Sequence, residues 1–300
     1  MKKIIYELKK TNYIKMLLMY TVVLVAGNLL IQIMYNSNSN SEILEEKKMY
    51  EEGLEANDEE LNELFKKELV IIDYCIENNI SYKSLSAITN LEKNKILVPV
   101  VLILIVICRC KSITVENENK TWILLKMYIK EPRRIWVMKN ISGVCQTLVM
   151  LGLFVVIALL YGTLKYQSFE NIKLIYDESR VVVGNYTGDI VNMLSSLTLK
   201  AIIYGELGYL MVMCIDSKIV IAGLWLIIVM ENNIYNLLSS YRISKLLPFE
   251  YFDTFENLVD RNIQQIFVAI LYMLGFVIVI KYASLKILKK SLDGGFRWKM

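Results

Sequence analysis

Long apolar runs separated by short charged stretches dominate this chain. Six of them have the character of bilayer-crossing helices: Tyr13–Tyr35, Ile96–Arg109, Ile141–Leu164, Met193–Ile215, Ile219–Leu238 and Ile263–Ile280. Crossing a hydrocarbon core about 30 Å thick takes about 20 mostly apolar residues in a helix. The second run is short. Lys95 and Arg109 bound it, and their side chains are expected to snorkel towards the interfaces. Pro99 falls in its first turn, where a proline is tolerated. Only Asp216-Ser217-Lys218 separates the fourth and fifth runs, which predicts a tight turn and an antiparallel pair. The first run is too long for the core of a signal peptide and no small-residue cleavage site follows it, so it reads as a retained span.

The polar segments have periodicities of their own. In Ser41–Ile80 the residues Leu61, Leu64, Phe65, Leu69, Ile72 and Ile76 recur at helical spacing, and Gly53 and Asn57-Asp58 interrupt the pattern. The segment therefore reads as a helical hairpin with a solvated acidic face. Residues 1–12 place Ile4, Ile5 and Leu8 on one helix face among lysines, as in an interfacial helix or a positive topology signal. Residues 239–262 carry Phe249, Tyr251, Phe252 and Phe255, aromatic side chains suited to the headgroup region or a re-entrant segment.

Charge orients the spans. The segment through Lys15 holds five lysines against Glu7, the loop Arg109–Lys139 holds eight basic residues against three acids, and the tail from Lys281 holds six against Asp293. The intervening segment Asn36–Lys95 carries fourteen acids against seven lysines. Basic segments face the cytoplasm. The expected fold is thus all-α: a polytopic membrane protein with six transmembrane helices and both ends in the cytoplasm. On this reading residues 1–12, 110–140 and 281–300 lie inside, and 36–95, 165–192 and 239–262 lie outside.

Composition narrows the chemistry. Hydrophobic residues make up 55% of the 300, mean hydropathy is +0.41, and there is no histidine. The commonest general base and metal ligand is therefore missing. Cys75, Cys108, Cys110, Cys145 and Cys214 form no CxxC pair and read as reduced structural thiols. No catalytic residue, metal site or cofactor is expected. The mild net charge of +4 gives no reason to invoke nucleic acid. Three ionisable residues fall inside spans, Lys200 and Glu206 in the fourth and Glu231 in the fifth. Such groups are costly in a membrane and count as candidates for a substrate path, or as structural partners. Gly205 and Gly208 flank Glu206 and permit close helix approach.

The loop between the second and third spans reads Val115-Glu116-Asn117-Glu118-Asn119-Lys120-Thr121-Trp122-Ile123-Leu124-Leu125, then Pro132-Arg133-Arg134 and Lys139. It resembles the corresponding loop of the membrane subunits of type-2 ATP-binding-cassette (ABC) exporters. Glu116, Glu118, Thr121, Leu124, Leu125 and Lys139 match that pattern, whereas the proline and arginine lie about three residues late. Tyr74–Ile80 and Leu247–Phe252 are similar to segments of bacterial permeases of this type. The resemblance implies a coupling helix over residues 113–131, docking on a separate ATPase subunit, and a second permease chain, identical or related. It also implies the bacterial cytoplasmic membrane and export of a peptide, antibiotic or lipid-like substrate. The absence of GxxxxGK[ST] agrees with ATP binding by a partner and not by this chain. Two other classes stay open: a secondary transporter that needs no ATPase, and a membrane scaffold or sensor built on the acidic hairpin.

Overall fold

The structure, a computed structural model, describes residues 13–35, 40–54, 59–78, 86–118, 131–177, 180–239 and 248–292. Residues 1–12 and Thr121, Leu124 and Leu125 lie outside them, so the amphipathic start and most of the expected coupling helix do too. The described chain is helical: α1 (Tyr13–Tyr35), α2 (Asn40–Gly53), α3 (Glu59–Glu77), α4 (Ala87–Lys93), α5 (Val98–Glu118), α6 (Pro132–Tyr166), α7 (Thr187–Val212), α8 (Ser217–Val229), α9 (Glu231–Ser239), α10 (Phe249–Glu256) and α11 (Ile263–Leu292). One antiparallel β-hairpin, β1 (Lys173–Asp177) and β2 (Arg180–Gly184), joins them where the apolar periodicity predicts only a loop.

Among the described residues five helical stretches are long and apolar enough to cross a membrane: Tyr13–Met34, Ala87–Val115, Arg133–Tyr166, Thr187–Val212 and Ile263–Lys290. Their apolar residues are not all inside. On α1, Tyr13, Tyr20, Leu24 and Ile31 are buried, while Ile14, Leu18, Val22 and Ile33 are exposed on another face. On α11, Ile263, Phe267, Leu271, Leu274 and Ile278 are exposed. Stripes of this size on a water-soluble protein would drive association. In lipid they are the solvent-facing surface, and the chain is membrane-embedded. The expected fifth span is a shorter helix, α8, which ends at Val229 and is followed by α9.

The chain divides into two compact units. The first contains Tyr13–Leu24, 95–156 and 191–292 of the described residues. In it Tyr13 Oη donates to the Gln146 carbonyl and Tyr20 Oη to that of Met150, each at 3.0 Å, so α1 and α6 run parallel. Trp136 Nε1 donates to Ser284 Oγ at 2.8 Å, joining the start of α6 to the end of α11. α8 folds back beside α7, and a Cβ on Gly208 would stand 3.2 Å from Cys110, Leu224 and Val106. The absent side chain brings α5, α7 and α8 together.

The second unit contains 25–94 and 157–190. α2 and α3 pack antiparallel around Ile72 and Cys75, with Ile43, Tyr50 and Ile71 on them and Leu174 of β1 covering the same cluster. Lys47 Nζ lies 2.6 Å from Asp73. That hydrogen bond raises the Lys47 ammonium above its ordinary pKa, and burial raises the Cys75 thiol. α4 starts with a capping box between Ser86 and Thr89. Asn90 Nδ2 and Asn94 Nδ2 both donate to Asn28 Oδ1 at 3.0 Å, tying this turn to α1.

The second span differs from its expected form. The helix does not end at Arg109 but continues without a break to Glu118. Likewise α6 begins at Pro132, so Lys139 lies two turns inside a helix and not at its mouth. Residues 113–118 belong to α5, and the stretch left for a separate coupling helix begins after Glu118.

Gly162 packs against the backbone of α4, where a Cβ would stand 2.7 Å from the Ala87 Cα; around Gly152 there is open space. Gly162→Ala should destabilise by about 1–3 kcal/mol through overpacking. Gly152→Ala should be neutral or stabilising by up to about 1 kcal/mol, since alanine is the better helix former. Unfolding of the two variants in the same detergent checks the contrast.

Candidate functional site

Burying a guanidinium away from water requires a countercharge and hydrogen bonds for its fork. Arg109 on α5 has both. Its Nη2 lies 2.6 Å from Glu206 Oε1 on α7, and its Nη1 donates to the Lys139 carbonyl on α6 at 3.4 Å. The Tyr209 ring lies beside it, centroid 5.1 Å from Cζ, in a cation–π arrangement. Both charged residues are 2% exposed.

Two glycines shape the slot. A Cβ on Gly143 would stand 1.0 Å from Arg109 Nη1, so the guanidinium occupies the space any other residue there would fill. A Cβ on Gly205 would stand 3.3 Å from Arg109 Cγ, so the stem lies along α7. Lys139, 3% exposed, places Nζ 3.4 Å from the Ser112 carbonyl and braces α5 to α6 one turn beyond Arg109. Lys281 Nζ on α11 lies 4.0 Å from Glu206 Oε1, and Glu206 Oε2 has no hydrogen-bond partner among the described residues. α5, α6 and α7 therefore meet at one ion pair, with a second cation nearby.

The other two predicted in-span residues form a separate cluster. Lys200 Nζ lies 2.7 Å from Glu231 on α9 and 2.5 Å from Glu256 on α10. Tyr204 Oη donates to Glu231 Oε2 at 3.1 Å. The Phe252 ring lies 5.4 Å from Lys200 Nζ and 5.8 Å from the Tyr204 ring. Lys200 and Tyr204 are one turn apart on α7 and share a face. Glu206 is six residues from Lys200, about 9 Å along the axis and about 120° around it. The three residues expected on one substrate path thus lie in two clusters on different faces.

No nucleophile–base pair lies in either cluster, and among the described residues no group of three His, Cys, Asp or Glu side chains could hold a metal ion. Glu116 and Glu118 fall in the last turn of α5. Arg109, Gly143, Tyr204 and Glu256 are not apparent as site residues from sequence alone. One signal points to Arg109: fourteen residues cannot cross a bilayer, so a helix of about 20 from Ile96 must carry it inside. Nothing in the sequence pairs Gly143 with it. Comparison with protein-family models, curated proteins and solved structures finds no match to the chain.

Gly143→Ala should displace the guanidinium and break the pair. The expected loss is about 3–5 kcal/mol, the range for uncoupling a buried ion pair. Gly223→Ala, on α8 in open space, should not change stability by more than about 1 kcal/mol. Thermal unfolding of the two purified variants makes the comparison.

Proposed function

We propose that this chain is the membrane subunit of an ABC exporter. It would lie in a bacterial cytoplasmic membrane, cross it six times with both ends inside, and work with a separate ATPase subunit and a second permease chain. The exported substrate would be a peptide, an antibiotic or a lipid-like molecule. One observation carries the reading. The segment that resembles the exporter coupling loop connects α5 to α6 in sequence, and these two helices are braced to each other by Arg109 to the Lys139 carbonyl and by Lys139 to Ser112. Force applied to residues 119–130 by a docked ATPase would reach α5 and α6 together, and through Arg109 it would reach Glu206 on α7.

Helix directions support the six crossings. α1 and α6 run one way, α5 and α7 the other, and α8 with α9 returns beside α7. The fifth crossing would be α8 and α9 in succession, 217–239, with a break at Met230. This break also favours a second reading. Interrupted helices beside ionisable groups are a feature of secondary transporters, and Glu231 with Lys200 at the α8–α9 junction has that form.

Affinity purification of the tagged chain from its bacterial host in mild detergent separates the two. The ABC reading expects a stoichiometric ATPase to co-purify. A stable oligomer without an ATPase would leave the secondary transporter ahead. Within the complex, Glu116→Ala combined with Glu118→Ala should lower transport-coupled ATP turnover at least about tenfold, as expected where an interface contact worth about 1.4 kcal/mol is lost. Unchanged assembly and turnover would remove these two residues from the coupling role.

A further inference from the structure

Lys200 has two carboxylate partners of unlike character. Glu231, on α9, has a side chain 12% exposed, whereas that of Glu256, on α10, is 45% exposed. α10 is a short helix tied to α7 at a few points besides this one. Ser195 Oγ donates to the Phe255 carbonyl at 3.0 Å, and Asn192 Oδ1 accepts from the Val259 amide at 3.0 Å. Phe252, 1% exposed, lies against Tyr204 and Lys200. The segment 248–260 thus covers the face of α7 that carries Lys200 and Tyr204.

From this geometry we infer that the α10 segment is a reversible strap, latched by Glu256 to Lys200, and that Glu231 is the residue that lets it open. The physical reason is the cost of an unpaired buried charge. When the strap lifts, Lys200 loses Glu256 but keeps Glu231 and stays neutralised. Tyr204 continues to donate to Glu231, so the open state leaves no bare ion behind. What opening requires is separation of the half-exposed pair, loss of two hydrogen bonds, exposure of Phe252 and parting of the Tyr251 ring from Tyr272 of α11, on which it stacks with centroids 4.0 Å apart. Opening uncovers Lys200 and Tyr204 in the middle of α7 and Glu231 beside them on α9. The inference does not depend on an ATPase partner.

The design predicts different effects for the two carboxylates. Glu256→Gln removes the latch and leaves the open state unharmed. Glu231→Gln leaves Lys200 with Glu256 alone, so opening would strand the ammonium and become rarer. The test is hydrogen–deuterium exchange of the full chain in lipid nanodiscs, read over residues 249–260 and, as a reference, over α7 and α8. Glu256→Gln should speed exchange of the strap about fivefold, the upper end for a half-exposed pair, with α7 and α8 unchanged. Glu231→Gln should slow it or leave it as it is. The inference is overturned if Glu256→Gln leaves strap exchange unchanged. It is equally overturned if Glu231→Gln speeds the strap as much as Glu256→Gln does, or if the faster exchange spreads over α7 and α8.

Discussion

An arginine buried among membrane-spanning helices is the constraint on which the larger unit depends. A guanidinium does not give up its charge, so it must be matched by an anion and by acceptors for its fork. Arg109 finds these on two other helices, Glu206 on α7 and the Lys139 carbonyl on α6. Because the alternative is an unpaired ion in a low-dielectric interior, the pair acts less as added stability than as a condition on which helix may stand beside which.

Other features follow from that condition. Gly143 leaves room for the guanidinium, Gly205 for its stem, and Gly208 lets Cys110 and Leu224 close in on α7. Tyr13 and Tyr20 then fix α1 to the carbonyls of α6, and Trp136 holds the end of α11 through Ser284. α7 carries the second ionic cluster as well, on another face. The helix that receives the Arg109 contact at Glu206 is therefore the one that holds the α10 strap through Lys200. On the proposed transport function, this common helix gives a route from the loop after Glu118 to the strap.

Much of the architecture is legible in the sequence because hydrophobic length is a one-body property. Each apolar run can be recognised without knowing its neighbours, and Asp216-Ser217-Lys218 reads as a tight turn by shortness alone. The interrupted periodicity of 41–80 marks α2 and α3, but of its apolar stripe Ile72 and Phe65 pack towards α2 while Leu61, Leu64 and Ile76 are exposed. The misjudged places are those where a partner decides. Arg109 has the same appearance at a membrane edge as inside, until Glu206 and Gly143 are placed around it. Lys200, Glu206 and Glu231 look alike as in-span ions, yet α7 turns Glu206 away from the other two. Glu256 lies outside every apolar run and shows no sign of its partner 56 residues earlier. The β-hairpin needs α3 as a surface for Leu174, and a short strand pair gives a weak signal by itself.

A double-mutant cycle across Arg109 and Glu206 tests the central claim most directly. Arg109→Met, Glu206→Met and the double variant would be unfolded in the same detergent and their stabilities compared with the parent. If the pair organises the unit, each single change should destabilise by about 3–5 kcal/mol, because it strands the other charge, and the double variant should recover most of that loss. Additive losses, with the double variant the least stable of all, would contradict the account: the two charges would then contribute independently, and the meeting of α5, α6 and α7 would not rest on them.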